Sequence, residues 1–231
     1  MNPWFIWKGK NSLADFGLWI NKLPRRVRAE ERHEEIEIPG RAGSLLMLEG
    51  DDVYSSYTAE MTVIARNTIN VDRVVEWLRG SSDLVLSTDI DKARPARIVG
   101  EVAFERVGNN LQQATIPFVC QPFRKRRDQL QDRLTFTENG TIRNPGDVAS
   151  KPKVSITRSG NINVTIGGST MSFTGVTGTI VVDCEAEIVT KNGEIWTGSY
   201  TGDFWKIPVG SSAFERNNTS TIVIDPNWGW L

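Results

Sequence analysis

The sequence predicts a mainly β protein with one helix in its N-terminal domain and a β-sandwich as its C-terminal domain. Three observations in the 231 residues support this fold class. Short runs of alternating apolar and polar residues, typical of half-buried strands, recur along the chain. Only residues 70–80 show apolar residues at helical spacing. After residue 144 the density of charged residues falls, and no helical pattern follows.

The change in composition near residue 144 predicts a division into two domains. Residues 1–144 hold 21 of the 27 Lys and Arg and 20 of the 28 Asp and Glu, whereas the remainder is rich in Thr, Ser and Gly. Between the two parts lie Asn144-Pro145-Gly146 and Lys151-Pro152, and Pro and Gly in such positions are typical of turns. We therefore place an N-terminal domain at residues 1–144 and a C-terminal domain at residues 145–231.

The predicted helix spans about residues 70–80 of the N-terminal domain. Asn70 is a favourable N-cap, the apolar residues after it have helical spacing, and Gly80 is a typical C′ residue. Pro117 lacks a backbone N–H, so the strand that contains it is expected to be an edge strand or to be bulged there. Strands are predicted around the helix at residues 54–64, 84–87, 96–107 and 111–120.

Residues 25–50, which we call the arm segment, are too polar to form a core strand. Nine charged side chains precede Ile38, a Pro39-Gly40 turn follows, and an apolar run then occupies residues 45–48. This pattern favours two strands around the turn, which extend from the domain as an arm. A solvated helix over residues 27–35 is the alternative.

The C-terminal domain contains only strand patterns. Apolar residues alternate with polar ones at residues 154–156, 162–166, 171–173 and 180–184, and Gly167-Gly168 separates two of these runs as a two-residue hairpin turn does. Short strands with turns every 8–12 residues or so are typical of a small β-sandwich.

Residues suited to catalysis or metal binding are sparse. The only histidine, His33, lies among charged residues, and the two cysteines, Cys120 and Cys184, are far apart in the sequence. One histidine and two distant cysteines do not have zinc-ligand spacing, and a catalytic triad requires a dry, oriented histidine. We therefore predict no catalytic residue, no cofactor and no metal, and we expect both cysteines to be buried free thiols. A glycosidase needs only two carboxylates, so the sequence does not test that activity.

The charge distribution does not favour nucleic-acid binding or a membrane. The formal net charge is −1, and one basic cluster, around Arg25, Arg26 and Arg28, is interleaved with acids. A second cluster occupies residues 124–127, and a charged loop or a subunit contact is the favoured interpretation for it. No apolar run reaches the length of about 20 residues that spans a bilayer. The N-terminus lacks a signal-peptide core, so we expect a protein made and kept in the cytosol or released by lysis.

Four of the eight tryptophans lie in the predicted sandwich. Aromatic rings on a β-sandwich can stack on sugars, but they pack in cores more often. A glycan or partner contact is therefore the minority interpretation for this set: Trp196, Trp205, Trp228 and Trp230.

The order of motifs along nearly the whole chain resembles the distal tail proteins of long-tailed, non-contractile phages, the Dit family. No single motif is specific, and the resemblance depends on their succession. The motifs are Asp15-Phe16-Gly17-Leu18, Ile38-Pro39-Gly40-Arg41-Ala42-Gly43, Glu76-Trp77-Leu78-Arg79-Gly80, Ile116-Pro117-Phe118-Val119-Cys120-Gln121-Pro122-Phe123, Asn144-Pro145-Gly146, Lys151-Pro152-Lys153-Val154 and Ile222-Val223-Ile224-Asp225-Pro226-Asn227-Trp228.

This resemblance implies a structural virion protein. Family members form a hexameric ring at the tail tip, and the N-terminal domain makes the ring with an arm that embraces the neighbouring subunit. The C-terminal domain is a galectin-like or carbohydrate-module-like sandwich at the periphery. The ring joins the tail tube protein to the tail-associated hub protein and carries receptor-binding proteins, while DNA passes through its channel. Such a protein is located in the virion tail tip and is assembled in the cytoplasm of the host bacterium.

The arm segment is the predicted oligomer interface, with residues 30–44 reaching the adjacent subunit, because a closed ring needs head-to-tail contacts between unlike surfaces. Mixed charges on it are suited to setting the register between subunits. The residues assigned to this interface are Arg25, Arg26, Arg28, Glu30, Glu31, Glu34, Glu35, Pro39, Gly40, Arg41 and Gly43.

Three classes of function therefore compete: a ring-forming structural protein, a carbohydrate-binding sandwich module that contacts the host surface, and an enzyme. The first is favoured and the protein is expected not to be an enzyme. The exposure of the sandwich tryptophans distinguishes the first two classes, and the single histidine argues against an esterase.

Overall fold

The computed structural model describes residues 2–25, 27–48, 50, 53–217 and 220–231. It divides into two compact units, Met1–Arg127 together with Leu231, and Asp128–Trp230. Both units are built of antiparallel strands, so the structure confirms the predicted mainly β fold class. Each unit has its own cluster of buried apolar residues.

Among its described residues, the first unit contains two α-helices and eleven strands. In chain order the elements are β1 (Phe5–Trp7), β2 (Lys10–Asn11), α1 (Ser12–Phe16), β3 (Trp19–Lys22), β4 (His33–Glu37), β5 (Ser44–Leu48), β6 (Tyr57–Arg66), α2 (Val71–Leu78), β7 (Ser81–Leu86), β8 (Asp89–Ile98), β9 (Phe104–Arg106), β10 (Leu111–Cys120) and β11 (Arg124–Arg126).

The main sheet of this unit has the order β2-β1-β7-β8-β10-β6-β3, with β9 paired to β10 and β11 paired to β8. Its core side carries Phe5, Trp7, Met61 and Phe118, none of which is exposed to solvent. Pro117 lies in an interior strand and not at an edge. Residues 112–114 of β10 pair with β9 and residues 118–120 pair with β8, so Pro117 occupies the gap where only β6 is a partner.

Helix α2 confirms the predicted helix. The Asn70 side chain accepts a hydrogen bond from the backbone N–H of Arg73 at 3.0 Å, and Gly80 follows the helix with a φ of 85°. Its apolar face, with Val74, Trp77 and Leu78, is buried against the sheet, and the Trp77 indole donates to the carbonyl of Trp7 at 2.9 Å.

The prediction of a single helix was wrong, because α1 also forms. This helix has only five residues, too few to show an apolar period, but its ends carry local signals. The Asn11 side chain accepts hydrogen bonds from the N–H groups of Leu13 and Ala14, and Gly17 ends the helix in the left-handed conformation.

The arm segment forms a hairpin. Strands β4 and β5 pair with each other as a separate two-stranded sheet, with His33 opposite Leu48 and Glu37 opposite Ser44. The predicted pair of strands is therefore confirmed. The alternative, a helix over residues 27–35, does not form. We call residues 33–48, which comprise both strands and their turn, the arm hairpin.

The second unit begins with one 3₁₀ turn, Gln129–Asp132, and is otherwise built of strands. In chain order they are β12 (Leu134–Phe136), β13 (Gly140–Asn144), β14 (Lys153–Ile166), β15 (Ser169–Asp183), β16 (Ile188–Lys191), β17 (Glu194–Ile195), β18 (Ser199–Thr201), β19 (Gly210–Arg216), β20 (Thr221–Asp225) and β21 (Gly229–Trp230).

Two long strands, β14 and β15, generate both layers of the sandwich. The N-terminal half of β14 pairs with β20 and its C-terminal half with β19, and the register shifts between Gly160 and Ile162. The sheet bends there, and its two halves cover one core that includes Ile156, Phe173 and Phe214. The sequence predicted four short strands in this stretch, whereas β14 and β15 are 14 and 15 residues long. The Gly167-Gly168 hairpin turn is confirmed, since both residues have positive φ.

The division between the units falls before Asp128 and not at residue 145. The reason is strand pairing, because β12 pairs with β20 and β13 pairs with β19 inside the second unit. The Asn144-Pro145-Gly146 turn is therefore an internal part of the sandwich. The Asn144 side chain is buried and donates to the carbonyls of Val148 and Ile207, both at 3.0 Å.

Candidate functional site

The arm hairpin exposes an apolar strand. Leu45, Leu46, Met47 and Leu48 of β5 are 40%, 56%, 50% and 54% exposed, respectively. Apolar side chains are normally exposed singly, so this run is a candidate surface for contact with another protein. The interface predicted from the sequence consists of charged and turn residues and does not include this run, although residues 45–48 were visible as an apolar stretch.

The two faces of the arm hairpin differ in chemistry. Residues that lie opposite each other in an antiparallel pair share a face, so Glu34, Met47, Ile36 and Leu45 form one face. We call it the apolar face, because Glu34 is its single charged side chain. The opposite face is more polar and carries His33, Glu35, Glu37, Ser44, Leu46 and Leu48.

The charged side chains on the two faces differ in whether they have an ion-pair partner. On the polar face the Nε2 atom of His33 lies 4.0 Å from the Glu35 carboxylate. On the apolar face the Glu34 carboxylate has no ion-pair or hydrogen-bond partner among the described residues. Neither strand contains Lys or Arg, so the paired part of the hairpin is acidic as well as apolar.

Backbone hydrogen bonds hold the base of the arm. The N–H of Arg32 donates to the Val53 carbonyl at 2.9 Å, and the N–H of Ser55 donates to the Glu30 carbonyl at 2.8 Å. Ala29 is buried beside them. The segments that enter and leave the hairpin are therefore joined by hydrogen bonds. This pairing orients the arm, and it does not require the tip of the arm to pack on the first unit.

The residues predicted for the interface fall into three places. Arg25, Arg28, Glu30 and Glu31 lie at the base, where an exposed ion pair joins Arg28 to Glu31 at 3.3 Å. Glu34 and Glu35 lie on opposite faces of β4. The turn contains the remaining four, Pro39, Gly40, Arg41 and Gly43, and both glycines have positive φ. Arg26 lies outside the described residues.

Three of the four candidate tryptophans are core residues, in agreement with the favoured interpretation of Trp205, and the minority interpretation of a surface contact does not fit their burial. Trp205 has no exposed surface, and Trp228 and Trp230 are 5% and 8% exposed. They belong to the core cluster of the second unit, where a sugar cannot reach them. Periodicity could not reveal this, since both faces of a sandwich strand accept aromatic residues.

Trp196 is the exception, and it belongs to a partly exposed aromatic row. Its ring lies 6.5 Å from that of Tyr200 at an interplanar angle of 21°, and Tyr200 lies 6.2 Å from Phe204. Tyr200 is 39% exposed, and the neighbouring Ile195 is 74% exposed. This row offers flat apolar surface to a partner.

The nucleophilic side chains are poorly placed for chemistry. Burial raises the pKa of the Cys120 thiol to about 11 and that of Cys184 to about 12, so both stay protonated near neutral pH. His33 lies on the arm hairpin, at the surface. Within the part of the chain that the structure describes, no three His, Cys, Asp or Glu residues are grouped as metal ligands. None of the described helices is long and apolar enough to cross a membrane.

The architecture is thus that of a two-unit antiparallel β protein with an exposed hairpin between two strands of its first unit. It is similar to the crystal structure of SPP1 Dit, with a TM-score of 0.73 over 97% of this chain and 98% of that one, at 14% sequence identity. That protein is described as a paradigm of the hub adsorption apparatus in phages that infect Gram-positive bacteria. The likeness shows that this chain has the Dit fold. Neither the protein-family models nor the curated proteins contain a match to it.

Proposed function

We propose that this chain is a structural hub protein of a phage tail tip, in which six copies form a ring. The ring joins the tail tube protein to the tail-associated hub protein and leaves a channel for DNA. The observation that supports this most strongly is the agreement of fold with SPP1 Dit over almost the full length of both chains. The protein acts without catalysis or cofactors, and it is assembled in the bacterial cytoplasm.

In this proposal the arm hairpin of each subunit lies on the first unit of its neighbour. Exposed apolar side chains do not stabilise a monomer. Burial of such side chains against a neighbouring subunit contributes hydrophobic free energy to the assembly. Complete burial of a Leu or Met side chain contributes about 1.5–3 kcal/mol. Covering the exposed parts of Leu45 and Met47, on the apolar face, therefore contributes on the order of 2 kcal/mol per interface before the entropy lost on association.

The charged residues at the base and in the turn set the register of this contact. Arg25, Arg28 and Arg41 are basic, and Glu30 and Glu31 are acidic. Rim charges of this kind contribute little affinity but disfavour misaligned docking. The second unit then serves as a docking domain for receptor-binding proteins.

Removal of the arm tests the proposal directly. Residues 33–48 are replaced by a short Gly-Ser linker, and the mass of the full-length variant and of the wild type is measured by light scattering. The wild type is expected to form a hexamer and the variant a monomer with an unchanged far-UV circular dichroism spectrum. Val209→Ser, which changes an exposed apolar residue of the second unit, is the matched control. A stable hexamer without the arm would contradict the proposal.

The carbohydrate-binding alternative now rests on the aromatic row alone. Trp196 and Tyr200 present stacked, partly exposed rings, and rings of this kind can bind sugars. If the second unit is a sugar-binding module, the full-length wild type binds glycans on an array of cell-wall sugars and Trp196→Ala does not. Absence of binding by the wild type leaves the structural role as the sole proposal.

A further inference from the structure

A basic cleft lies on the first unit, and Arg28, at the base of the arm, is one of its lining residues. It has a volume of about 250 Å³ and is partly open to solvent. No acidic side chain is among the described residues that line it, and three arginines are. The lining residues are Val27, Arg28, Tyr57, Arg94, Arg124 and Leu231, all within the first unit.

The sheet register explains why Arg94 is in this cleft. Tyr57 pairs with Cys120, and Cys120 pairs with Ala96, so these three residues form a row across β6, β10 and β8. Arg94 precedes Ala96 by two residues on β8 and therefore points to the same side of the sheet. That side is the core side, and Arg94 lies at its margin with only 9% of its surface exposed.

Arg94 is the cleft arginine without a partner. Arg124 donates to the Asp89 carboxylate at 2.9 Å and to a backbone oxygen of Leu231, and Arg28 pairs with Glu31. Among the described residues, the Arg94 side chain has no hydrogen-bond acceptor and no ion pair. The Arg94 side chain is thus mostly covered by protein, and its guanidinium faces a partly open cleft where it is available to an anion.

Tyr57 adds a hydrogen-bond donor to the same cleft. Burial raises the pKa of its phenol, although the nearby positive charges of Arg94 and Arg124 act to lower it. The hydroxyl is thus protonated at neutral pH. A planar guanidinium beside a phenol O–H matches a carboxylate, which accepts two bonds from the arginine and one from the tyrosine.

We propose that the Arg94 cleft binds the Glu34 carboxylate of a second copy of this chain. Glu34 is the only charge on the apolar face of the arm hairpin and, within the described part of the chain, has no partner of its own. The Arg94 guanidinium, which has no ion-pair partner among the described residues, and the exposed Glu34 carboxylate thus complement each other across two subunits. This inference rests on the proposed ring, and it specifies which residue anchors each arm to its neighbour.

The full-length variant Arg94→Met tests it with two measurements. Methionine fills a similar volume without a charge, so the thermal unfolding temperature of the unassembled chain is expected to stay the same or rise. The dissociation constant of the oligomer is expected to increase at least about tenfold, as for loss of a buried interfacial ion pair. A purely structural arginine would give the opposite result, with lower unfolding temperature and unchanged assembly. The matched control is Arg97→Met, since Arg97 is exposed on the opposite side of the same strand.

A second pair of variants identifies the carboxylate. Glu34→Gln is expected to weaken assembly as Arg94→Met does, and Glu35→Gln, on the polar face, is expected to leave it unchanged. The double variant Glu34→Gln with Arg94→Met should be no worse than either single variant, because both remove the same contact. Additive losses, or equal effects of Glu34→Gln and Glu35→Gln, would overturn the pairing.

Failure of this inference is distinguishable from failure of the ring proposal. If the arm deletion abolishes the hexamer while Arg94→Met assembles with the wild-type dissociation constant, the arm contact stands and the Arg94–Glu34 pairing is wrong. If the arm deletion still assembles, the proposed interface and the pairing fail together.

Discussion

Asn144 shows how one buried side chain can organise a turn. Its amide nitrogen donates to two carbonyls, and its amide oxygen accepts from the N–H of Gly146 at 2.8 Å. Gly146 itself has no room for a side chain, because a Cβ atom there would lie 2.3 Å from the carbonyl oxygen of Gly229. The sequence around these residues looks like a linker, yet the structure makes it a fixed corner of the sandwich.

We expect Asn144→Ala to destabilise the second unit by about 2–4 kcal/mol, since it removes the Asn144 bonds to the Val148 carbonyl and the Gly146 N–H and one of the two hydrogen bonds to the Ile207 carbonyl. The free energy of unfolding in urea, followed by tryptophan fluorescence, measures this effect. Gln131→Ala is the control, because Gln131 is exposed in the same unit. An equal, small change in both variants would show that the corner does not depend on this side chain.

Asp183 makes the stability of the second unit sensitive to acid. Burial acts to raise the pKa of its carboxyl, but the Lys153 ammonium at 2.9 Å and the N–H groups of Ala186 and Glu185 outweigh burial and lower it. A carboxyl with a lowered pKa stabilises the fold above its unfolded value of about 4, and this contribution is lost as the pH falls through the folded pKa.

Asp183→Asn is therefore expected to lower the free energy of unfolding at neutral pH. The difference from the wild type should shrink below about pH 4, where the wild-type carboxyl becomes protonated too. Urea unfolding at neutral pH and at about pH 3 measures both values. A difference that is constant with pH would mean that the charge of Asp183 contributes nothing and that only its hydrogen bonds to the turn matter.

At the scale of elements, local signals in the sequence were sufficient where the interactions are local. The N-cap of α2 and the Gly167-Gly168 turn depend on neighbouring residues, and both were predicted correctly. The arm hairpin was predicted from its Pro39-Gly40 turn. Helix α1 was missed because five residues are too short to show a period, although Asn11 and Gly17 marked its ends.

The predictions that failed depended on distant contacts. Strands β14 and β15 were each predicted as two short strands, whereas both are continuous and their pairing shifts register at a bulge between Gly160 and Ile162 of β14. The burial of Trp205, Trp228 and Trp230 depends on which layer covers them, and alternation along one strand does not contain that information. Nothing in the sequence indicates that the Arg94 side chain is mostly buried and has no ion-pair partner among the described residues.

The two faces of the arm hairpin predict different effects on assembly. The apolar face, with Leu45 and Met47, is expected to contact the neighbouring subunit, because its only charge has a complementary site. The double variant Leu45→Ser with Met47→Ser should therefore raise the dissociation constant of the oligomer more than Leu46→Ser with Leu48→Ser. Sedimentation analysis of both full-length variants measures this. Equal effects would indicate that the neighbour encloses both faces.

At the scale of the whole molecule, strand pairing and composition draw different boundaries. The charge density changes near residue 144, but β12 and β13 precede that point and complete the sandwich by pairing with β20 and β19. Ile142 of β13 has no exposed surface, and it belongs to the core of the second unit. A domain defined by composition would lose this strand, and the edge of β19 would be left without its partner.

Two fragments of the chain distinguish these boundaries. The fragment 128–231 retains both strands and the buried Asn144, so we expect it to unfold cooperatively on heating and to give dispersed amide resonances. The fragment 145–231 lacks them, exposes the edge of β19 and the core beneath Ile142, and is expected to be unfolded or to aggregate. Thermal unfolding followed by circular dichroism compares the two. If 145–231 melts as cooperatively and at the same temperature, β12 and β13 are accessory strands, and the folding unit follows the change in composition near residue 144.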